Sequence, residues 1–149
     1  MADEIYLTEF YIMPVEGLAT LRKEISGLLD DEVAGGVLFR YGYRSGYEIM
    51  KKLNLDADMD GLPGVFEEIW HEIGLGRAKL LADGVRMSVV FEESLEARAN
   101  GSRTMPSCDF TRGYLSGIIS RILGKKYYAT EEKCMSMGNE VCLFRLSPV

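Results

Sequence analysis

The sequence predicts an α+β fold in which an antiparallel sheet packs with about four helices. Three observations support this prediction. Apolar residues recur at helical spacing in four segments, β-rich segments flank a turn signal at Asp83-Gly84, and Gly138-Asn139 marks a second turn near the C-terminus. The length of 149 residues is that of one ordinary domain, and no linker, repeat or low-complexity tract divides it. We therefore expect residues 1–149 to form a single domain.

The four predicted helices cover residues 15–29, 32–53, 62–73 and 109–123. Each segment carries apolar side chains three and four positions apart, which is the spacing of one helix face. Pro63 suits the first turn of the third helix, where no backbone N–H is needed. These segments are long enough to supply most of the core.

The predicted strands are shorter and rest on β-rich composition and turn residues. The connection over residues 92–104 is polar and is predicted to be a loop. The strands are expected at residues 4–13, 78–81 and 85–91, through Tyr127 and Tyr128, and at 141–146.

Two pairs of glycines interrupt the second and fourth predicted helices. Gly42 and Gly46 are one helical turn apart, as are Gly113 and Gly117. Glycine inside a helix costs about 1 kcal/mol relative to alanine, so its presence needs a reason. We expect these positions to form smooth faces where two backbones pack closely.

Composition limits the classes of partner. The apolar share is 47% and the charged share 27%, as in soluble globular domains. The net charge of −6 and the lack of a basic run argue against a nucleic-acid partner. No apolar stretch approaches the roughly 18 residues of a membrane helix, which predicts no stable membrane insertion. An odd number of cysteines without a signal peptide predicts a cytoplasmic protein.

Three cysteines and one glutamate in the last third of the chain have the spacing of a metal site. Cys108 precedes Glu131 by 23 residues, Cys134 follows three later, and Cys142 eight after that. Three thiolates and a carboxylate form a closed tetrahedral set for Zn²⁺, with no position left for a catalytic water. The pattern therefore predicts a structural zinc. The alternative is a group of metal-free thiols, either buried or redox-active.

Local sequence explains how these ligands would meet. The Gly138-Asn139 dipeptide would reverse the chain and place Cys134 opposite Cys142 on the two arms of a hairpin. Cys108 stands just before the last predicted helix, whose N-terminal partial positive charge favours a thiolate.

The segments around these ligands resemble the 4-vinyl reductase domain family, a family of small-molecule-binding modules. The resemblance is clearest over residues 85–147 and includes a weaker match to an early helix of the family. The matching stretches are GVLFRYGYRSGY at 36–47, PSCDFTRGYLSG at 106–117, GK at 124–125 and EEKCMSMGNEVCLF at 131–144.

The resemblance implies a function and an assembly. The family includes stand-alone predicted hydrocarbon-binding proteins and the sensory domains of phenol- and toluene-responsive activators. In those activators Cys, Glu, Cys and Cys hold zinc, as Cys108, Glu131, Cys134 and Cys142 would here. The chain is also similar to a vesicle transport-particle subunit, which implies an α/β homodimer with a channel for an acyl chain. We expect a zinc-stabilised sensor or carrier of an aromatic, hydrocarbon or acyl ligand.

Two alternatives remain open at this stage. The family name implies reduction of a tetrapyrrole vinyl group, so the chain could be an enzyme or an enzyme accessory. However, no dinucleotide fingerprint, phosphate loop or Ser-His-acid set is present to supply such chemistry. The second alternative is a structural or tethering homodimer, because a shared fold does not establish function.

The residues expected to line a ligand pocket are large apolar side chains predicted to point inward near the zinc end. Each of them could equally be an ordinary core residue. They are Phe66, Trp70, Met87, Phe110 and Tyr114.

An acidic run between the second and third helices fits the template of a calcium loop. Asp56, Asp58, Asp60 and Glu67 occupy the first, third, fifth and twelfth positions, with Gly61 at the sixth. Only one such loop exists, and a proline stands at the eighth position. The alternative is that the acidic residues cap the following helix.

Overall fold

The structure, a computed structural model, describes residues 10–84 and 86–149. Within these residues five helices and four strands confirm the α+β fold. Their bounds, in chain order, are α1 (Glu16–Leu28), α2 (Asp31–Leu53), α3 (Leu62–Ile73), β1 (Gly76–Asp83), β2 (Arg86–Ser94), α4 (Leu95–Asn100), α5 (Asp109–Leu123), β3 (Tyr127–Lys133), a short 3₁₀ turn (Met135–Met137) and β4 (Cys142–Pro148).

The helix ends follow local sequence signals. The side chain of Asp30 accepts a hydrogen bond of 2.7 Å from the backbone N–H of Val33 and so caps α2. Asn54 ends α2 in the left-handed conformation, with φ of 51°. Gly124 ends α5 in the same way, with φ of 65°. Because such end signals are local, all four predicted helices lie within about one residue of their expected bounds.

The sheet is antiparallel throughout, with strand order β1-β2-β4-β3. In its register Phe91 pairs with Cys142, and Glu131 pairs with Phe144. Side chains alternate between the two faces of a strand, so Tyr127, Ala129 and Glu131 all point to the same side of β3. This alternation directs the Glu131 carboxylate toward the helical layer.

The central packing contact is between α2 and α5, and the four interior glycines permit it. A Cβ atom added to Gly42 would lie 2.2 Å from the carbonyl oxygen of Phe110, and one added to Gly117 would lie 2.1 Å from that of Tyr43. Gly46 and Gly113 are equally close to the facing backbone. The two backbones therefore touch directly, as the glycine spacing predicts.

One hydrophobic core lies between α5 and the sheet. Leu115, Ile118 and Ile119 of α5 are fully buried, as are Phe91 of β2 and Phe144 of β4. Because α5 is covered by α2 on one side and by the sheet on another, almost its whole circumference is buried. None of the described helices combines the length and apolarity needed to cross a bilayer.

Several predicted bounds need correction. The segment 92–104 is not a loop: β2 continues to Ser94, and α4 follows as a fifth helix. This helix has six residues, too few for a periodic apolar pattern, and the Ser94 side chain caps it by accepting a bond from Ala97 N–H at 3.2 Å. Of the strand predicted at 4–13, residues 4–9 lie outside the described chain, and residues 10–13 belong to no strand.

Candidate metal centre and ligand cavity

Cys108, Glu131, Cys134 and Cys142 come together at one point of the fold. One ligand atom from each of them lies within 4.8 Å of all the others. The Cys108 sulfur is 4.0 Å from the sulfurs of both Cys134 and Cys142. Two sulfurs bound to one tetrahedral Zn²⁺ at about 2.3 Å would be separated by roughly 3.8 Å. The three buried thiols are not in disulfides, and the group can hold a metal ion.

Three elements position these ligands. Cys108 is the N-cap residue of α5, and its side chain makes no capping bond. Glu131 lies on β3, Cys134 follows the end of that strand, and Cys142 is the first residue of β4. The centre therefore ties the β3-β4 hairpin to the N-terminus of α5.

The hairpin turn has the predicted position and a more elaborate geometry. Gly138 has a φ of 91°, and the Asn139 side chain accepts a 3.1 Å bond from the Cys134 N–H. A 3₁₀ turn occupies the residues between Cys134 and Gly138. Within it the Met135 N–H lies 3.2 Å from the Cys142 sulfur and donates to it. Backbone N–H donors of this kind stabilise a thiolate.

The electrostatics of the centre favour a cation. Glu131 Oε1 accepts a 3.1 Å bond from the Cys108 N–H, whereas the buried Oε2 has no hydrogen-bond partner. Burial, followed by the neighbouring Cys134, raises the pKa of Glu131 to about 8. Hydrogen bonds from Cys108 and Cys142 lower the pKa of Cys134. An unpartnered carboxylate oxygen beside three thiols is the donor set that a divalent metal ion satisfies.

A polar network behind the centre was not apparent from the sequence. Arg22 of α1 is only 2% exposed and forms an ion pair with Asp109. It also donates 3.1 Å bonds to Asp31 and to the Ser107 carbonyl. Arg22 thereby fixes the segment that leads into Cys108. Its i+4 spacing from Leu18 marked it only as a helix surface residue, and no local signal reveals a partner 87 positions away.

A second buried group, Glu96, was also missed because its segment was predicted to be a loop. Glu96 is 1% exposed. It accepts bonds from the N–H groups of Phe110 (3.1 Å) and Thr111 (2.7 Å), and from the Thr111 hydroxyl (2.6 Å). Burial raises its pKa to about 7, although the bonds from Thr111 and Phe110 oppose that rise. The carboxyl group of Glu96 thus occupies the N-terminus of α5 from outside the helix.

An apolar cavity of about 590 Å³ adjoins the first two turns of α5. Phe110 and Tyr114 form one wall, and their rings stack with centroids 5.6 Å apart. The Tyr114 hydroxyl donates a 2.9 Å bond to the Ile73 carbonyl, so its polar end is already satisfied. Other walls come from the segment before α1 and from α1, α2, the α3-β1 connection and the start of α4, including Val15, Leu18, Ile49, Leu75 and Leu95.

The five predicted pocket residues do not share this cavity. Phe66 and Trp70 stack at 4.9 Å and border a different cavity of about 650 Å³ between α3 and β1. Met87 borders a third, of about 510 Å³. Phe66 and Met87 are almost completely buried, as core residues are. A ligand-binding role for Phe110 and Tyr114 stays a prediction that the cavity makes concrete.

The acidic run predicted as a calcium loop is not gathered into a group of ligands. Within residues 10–84 and 86–149, three or more candidate ligand side chains meet only at the cysteine centre. Asp58 Oδ1 instead accepts a 2.8 Å bond from the Gly61 N–H, just before α3. This contact agrees with the capping alternative. A calcium role for Asp56, Asp58, Asp60 and Glu67 stays an untested prediction.

Two curated relatives match the chain over much of its length. The transcriptional regulatory protein XylR of Pseudomonas putida is 28% identical over 147 residues, covering 89% of this chain and 26% of the regulator. An uncharacterised protein of Methanocaldococcus jannaschii is 30% identical over 107 residues, covering 72% of this chain and 55% of that protein. The chain thus spans about a quarter and about half of the two relatives.

Solved structures show the same fold. The phenol-responsive sensory domain of the activator PoxR, solved with phenol, superposes with a TM-score of 0.73 at 24% identity, covering 93% of this chain and 76% of that one. A vinyl-4-reductase family protein of Methanocaldococcus jannaschii gives 0.59 at 20% identity, covering 96% and 86%. Trafficking protein particle complex subunit 3 of Naegleria fowleri, covalently bound to palmitic acid, gives 0.62 at 18% identity, covering 91% and 95%.

The match to a family model is consistent with these neighbours and includes all four residues of the candidate metal centre. It covers residues 87–148, from the start of β2 to the end of β4. This segment, which builds most of the sheet and the whole Cys₃Glu group, belongs to the vinyl-4-reductase domain family.

Proposed function

We propose that this chain is a sensory domain that binds a small hydrophobic molecule in the cavity beside α5 and is stabilised by zinc at the Cys₃Glu centre. The observation that carries the proposal is the position of the cavity. Its aromatic wall, Phe110 and Tyr114, belongs to the same helix whose N-cap is Cys108. The likeness to the sensory domains of XylR and PoxR supports a sensing role.

The choice of zinc follows from the chemistry of the donor set. Thiolates are soft ligands, and a site with three of them selects zinc over calcium or magnesium, which prefer oxygen. Four protein ligands complete a tetrahedron and leave no open position, as in structural zinc sites. Cys108, Cys134 and Cys142 would bind through sulfur, and Glu131 through its unpartnered oxygen. Zinc would hold the hairpin against α5.

The choice of ligand class follows from the cavity. A volume of about 590 Å³ lies within the range of about 300–1,000 Å³ typical of small-molecule sites. The walls are largely aliphatic and aromatic, and the Tyr114 hydroxyl is occupied by Ile73. Such a surface favours an aromatic, hydrocarbon or acyl molecule over a highly charged one. Flat rings can stack on Phe110 and Tyr114.

Binding of three probes tests this proposal: phenol, toluene and decanoate, each measured by calorimetry on zinc-loaded protein. Ser45 lines the cavity from α2, so Ser45→Leu fills part of it. We expect at least one probe to bind and the variant to bind it at least ten-fold more weakly, with an unchanged melting temperature. The control is Ser102→Leu, at an exposed position outside the cavity. If no probe binds, or if Ser45→Leu has no effect, the cavity is not the site.

The assembly is a separate part of the proposal. The resemblance to a transport-particle subunit implies a homodimer, and the structural neighbours support only the shared fold. Native mass spectrometry distinguishes a dimer from a monomer and reports bound zinc in the same spectrum. A spectrum with only the monomer at micromolar concentration would contradict the dimer without affecting the sensing proposal.

A further inference from the structure

The short helix α4 lies between the metal centre and the ligand cavity and contacts both. On the metal side, the Ser94 hydroxyl that caps α4 is 3.6 Å from the Cys108 sulfur. The hydroxyl of Ser136, between two of the ligands, donates a 3.2 Å bond to the Ala97 carbonyl. On the cavity side, Leu95 is part of the wall. A six-residue helix is therefore in contact with both regions.

Glu96 connects α4 to the first turn of α5. The first amides of a helix have no intrahelical acceptor, and the N-cap Cys108 supplies no side-chain acceptor for them. The carboxyl oxygens of Glu96 accept the N–H groups of Phe110 and Thr111 instead, together with the Thr111 hydroxyl. Hydrogen bonds to a carboxylate are stronger than those to neutral acceptors. Their burial excludes competing water, because Glu96 is 1% exposed.

The turn held by Glu96 is shared by both regions. Its first residue, Cys108, contributes a sulfur to the metal centre, and its N–H donates to Glu131. Phe110, two residues later, forms part of the cavity wall. Movement of this turn therefore changes the distance between the sulfurs and the shape of the cavity together. Through Glu96, α4 and Leu95 must follow the same movement.

We propose that Glu96 is a positioning residue that transmits metal binding at the Cys₃Glu centre to the cavity wall formed by Leu95 and Leu75. Leu75 is included because its carbonyl accepts a 3.1 Å bond from the Leu95 N–H, and both side chains line the cavity. The inference rests on the proposed zinc centre but needs no ligand in the cavity. By linkage, a ligand that fixes this wall would also strengthen metal binding.

Backbone NMR during a zinc titration tests this role on the ligand-free protein. In the wild type, zinc is expected to shift the amide signals of Cys108 and Phe110 and also those of Leu75 and Leu95. In Glu96→Gln, an NH₂ donor replaces one acceptor oxygen facing the α5 amides. We expect this variant to bind one zinc, with the shifts at Leu75 and Leu95 reduced to less than half. Glu93→Gln is the matched control, because Glu93 is an exposed carboxylate that pairs with Arg98.

A second pair of variants keeps the inference testable if Glu96→Gln does not fold. Thr111→Val removes only the 2.6 Å hydroxyl bond to Glu96, whereas Thr111→Ser keeps the hydroxyl. The zinc-induced shifts at Leu75 and Leu95 should fall in the valine variant and return in the serine variant, which a loss of packing alone would not produce. Zinc binding with no shift at Leu95 in the wild type, or equal shifts in Thr111→Val, would overturn the role of Glu96 alone. A wild type that binds no zinc would refute the metal centre and this inference together.

Discussion

Cys134 is the residue whose substitution tests the metal centre most directly. Cys134→Ser removes one of three thiolates, and we expect loss of bound zinc and a lower melting temperature. At a free zinc concentration about 1,000 times Kd, binding contributes about 4 kcal/mol, which corresponds to a decrease of roughly 8–16 °C for a domain of this size. Zinc content by mass spectrometry and thermal unfolding measure both effects.

The control for this experiment lies in the same hairpin. Met137 is 46% exposed and contributes no ligand, so Met137→Ser should keep both zinc and stability. Full zinc occupancy and an unchanged melting temperature in Cys134→Ser would show that the thiols serve another purpose.

At the residue scale, sequence spacing identified the metal ligands because three of them lie close together in the chain. Glu131, Cys134 and Cys142 belong to one hairpin, whose turn residues are recognisable. Arg22 and Glu96 were not recognisable, since each acts on a partner that is distant in sequence. A buried charge cannot be distinguished from a surface charge until its partners are known.

At the scale of elements, the close contact between α2 and α5 makes a sharp prediction. Gly117→Ala would place a Cβ 2.1 Å from the Tyr43 carbonyl oxygen, so the helices must separate. We expect a loss of about 1–3 kcal/mol or more in the free energy of unfolding, as for other overpacked cores. Gly36→Ala in α2 meets no atom within 4 Å and should instead stabilise by about 0.5–1 kcal/mol, because alanine favours the helix. Chemical denaturation distinguishes the two, and equal effects would contradict direct backbone contact.

The elements themselves were predictable to different degrees. Helices α1, α2, α3 and α5 follow from long apolar periods and clear end signals. The short helix α4 has no such period, and its stability comes from Ser94, Ala97 and Glu96 contacts that exist only in the folded chain. Strand β3 extends to Lys133, beyond the predicted aromatic pair, because pairing with β4 organises its polar residues.

At the scale of the whole molecule, metal ions should affect stability selectively. A strong chelator should lower the melting temperature of the wild type to that of Cys134→Ser, since the core between α5 and the sheet remains while the hairpin is released. Millimolar calcium should leave the melting temperature unchanged, because Asp58 already accepts the Gly61 N–H and the acidic residues form no ligand group in the described chain. A rise with calcium would restore the calcium-loop hypothesis, and no response to the chelator would remove the zinc hypothesis.

The sequence by itself determined the fold class, four of the helices, the glycine-lined contact and the identity of the metal-ligand set. All of these depend on patterns within one segment or on residue types with few alternative roles. Only the tertiary structure decided which aromatic residues line a common cavity: Phe110 and Tyr114 do, whereas Phe66 and Met87 are packed into the core. It also decided that Glu96 caps a helix 14 residues away. The reason is that burial and long-range hydrogen bonds depend on how elements pack, and packing is not encoded in the periodicity of any single element.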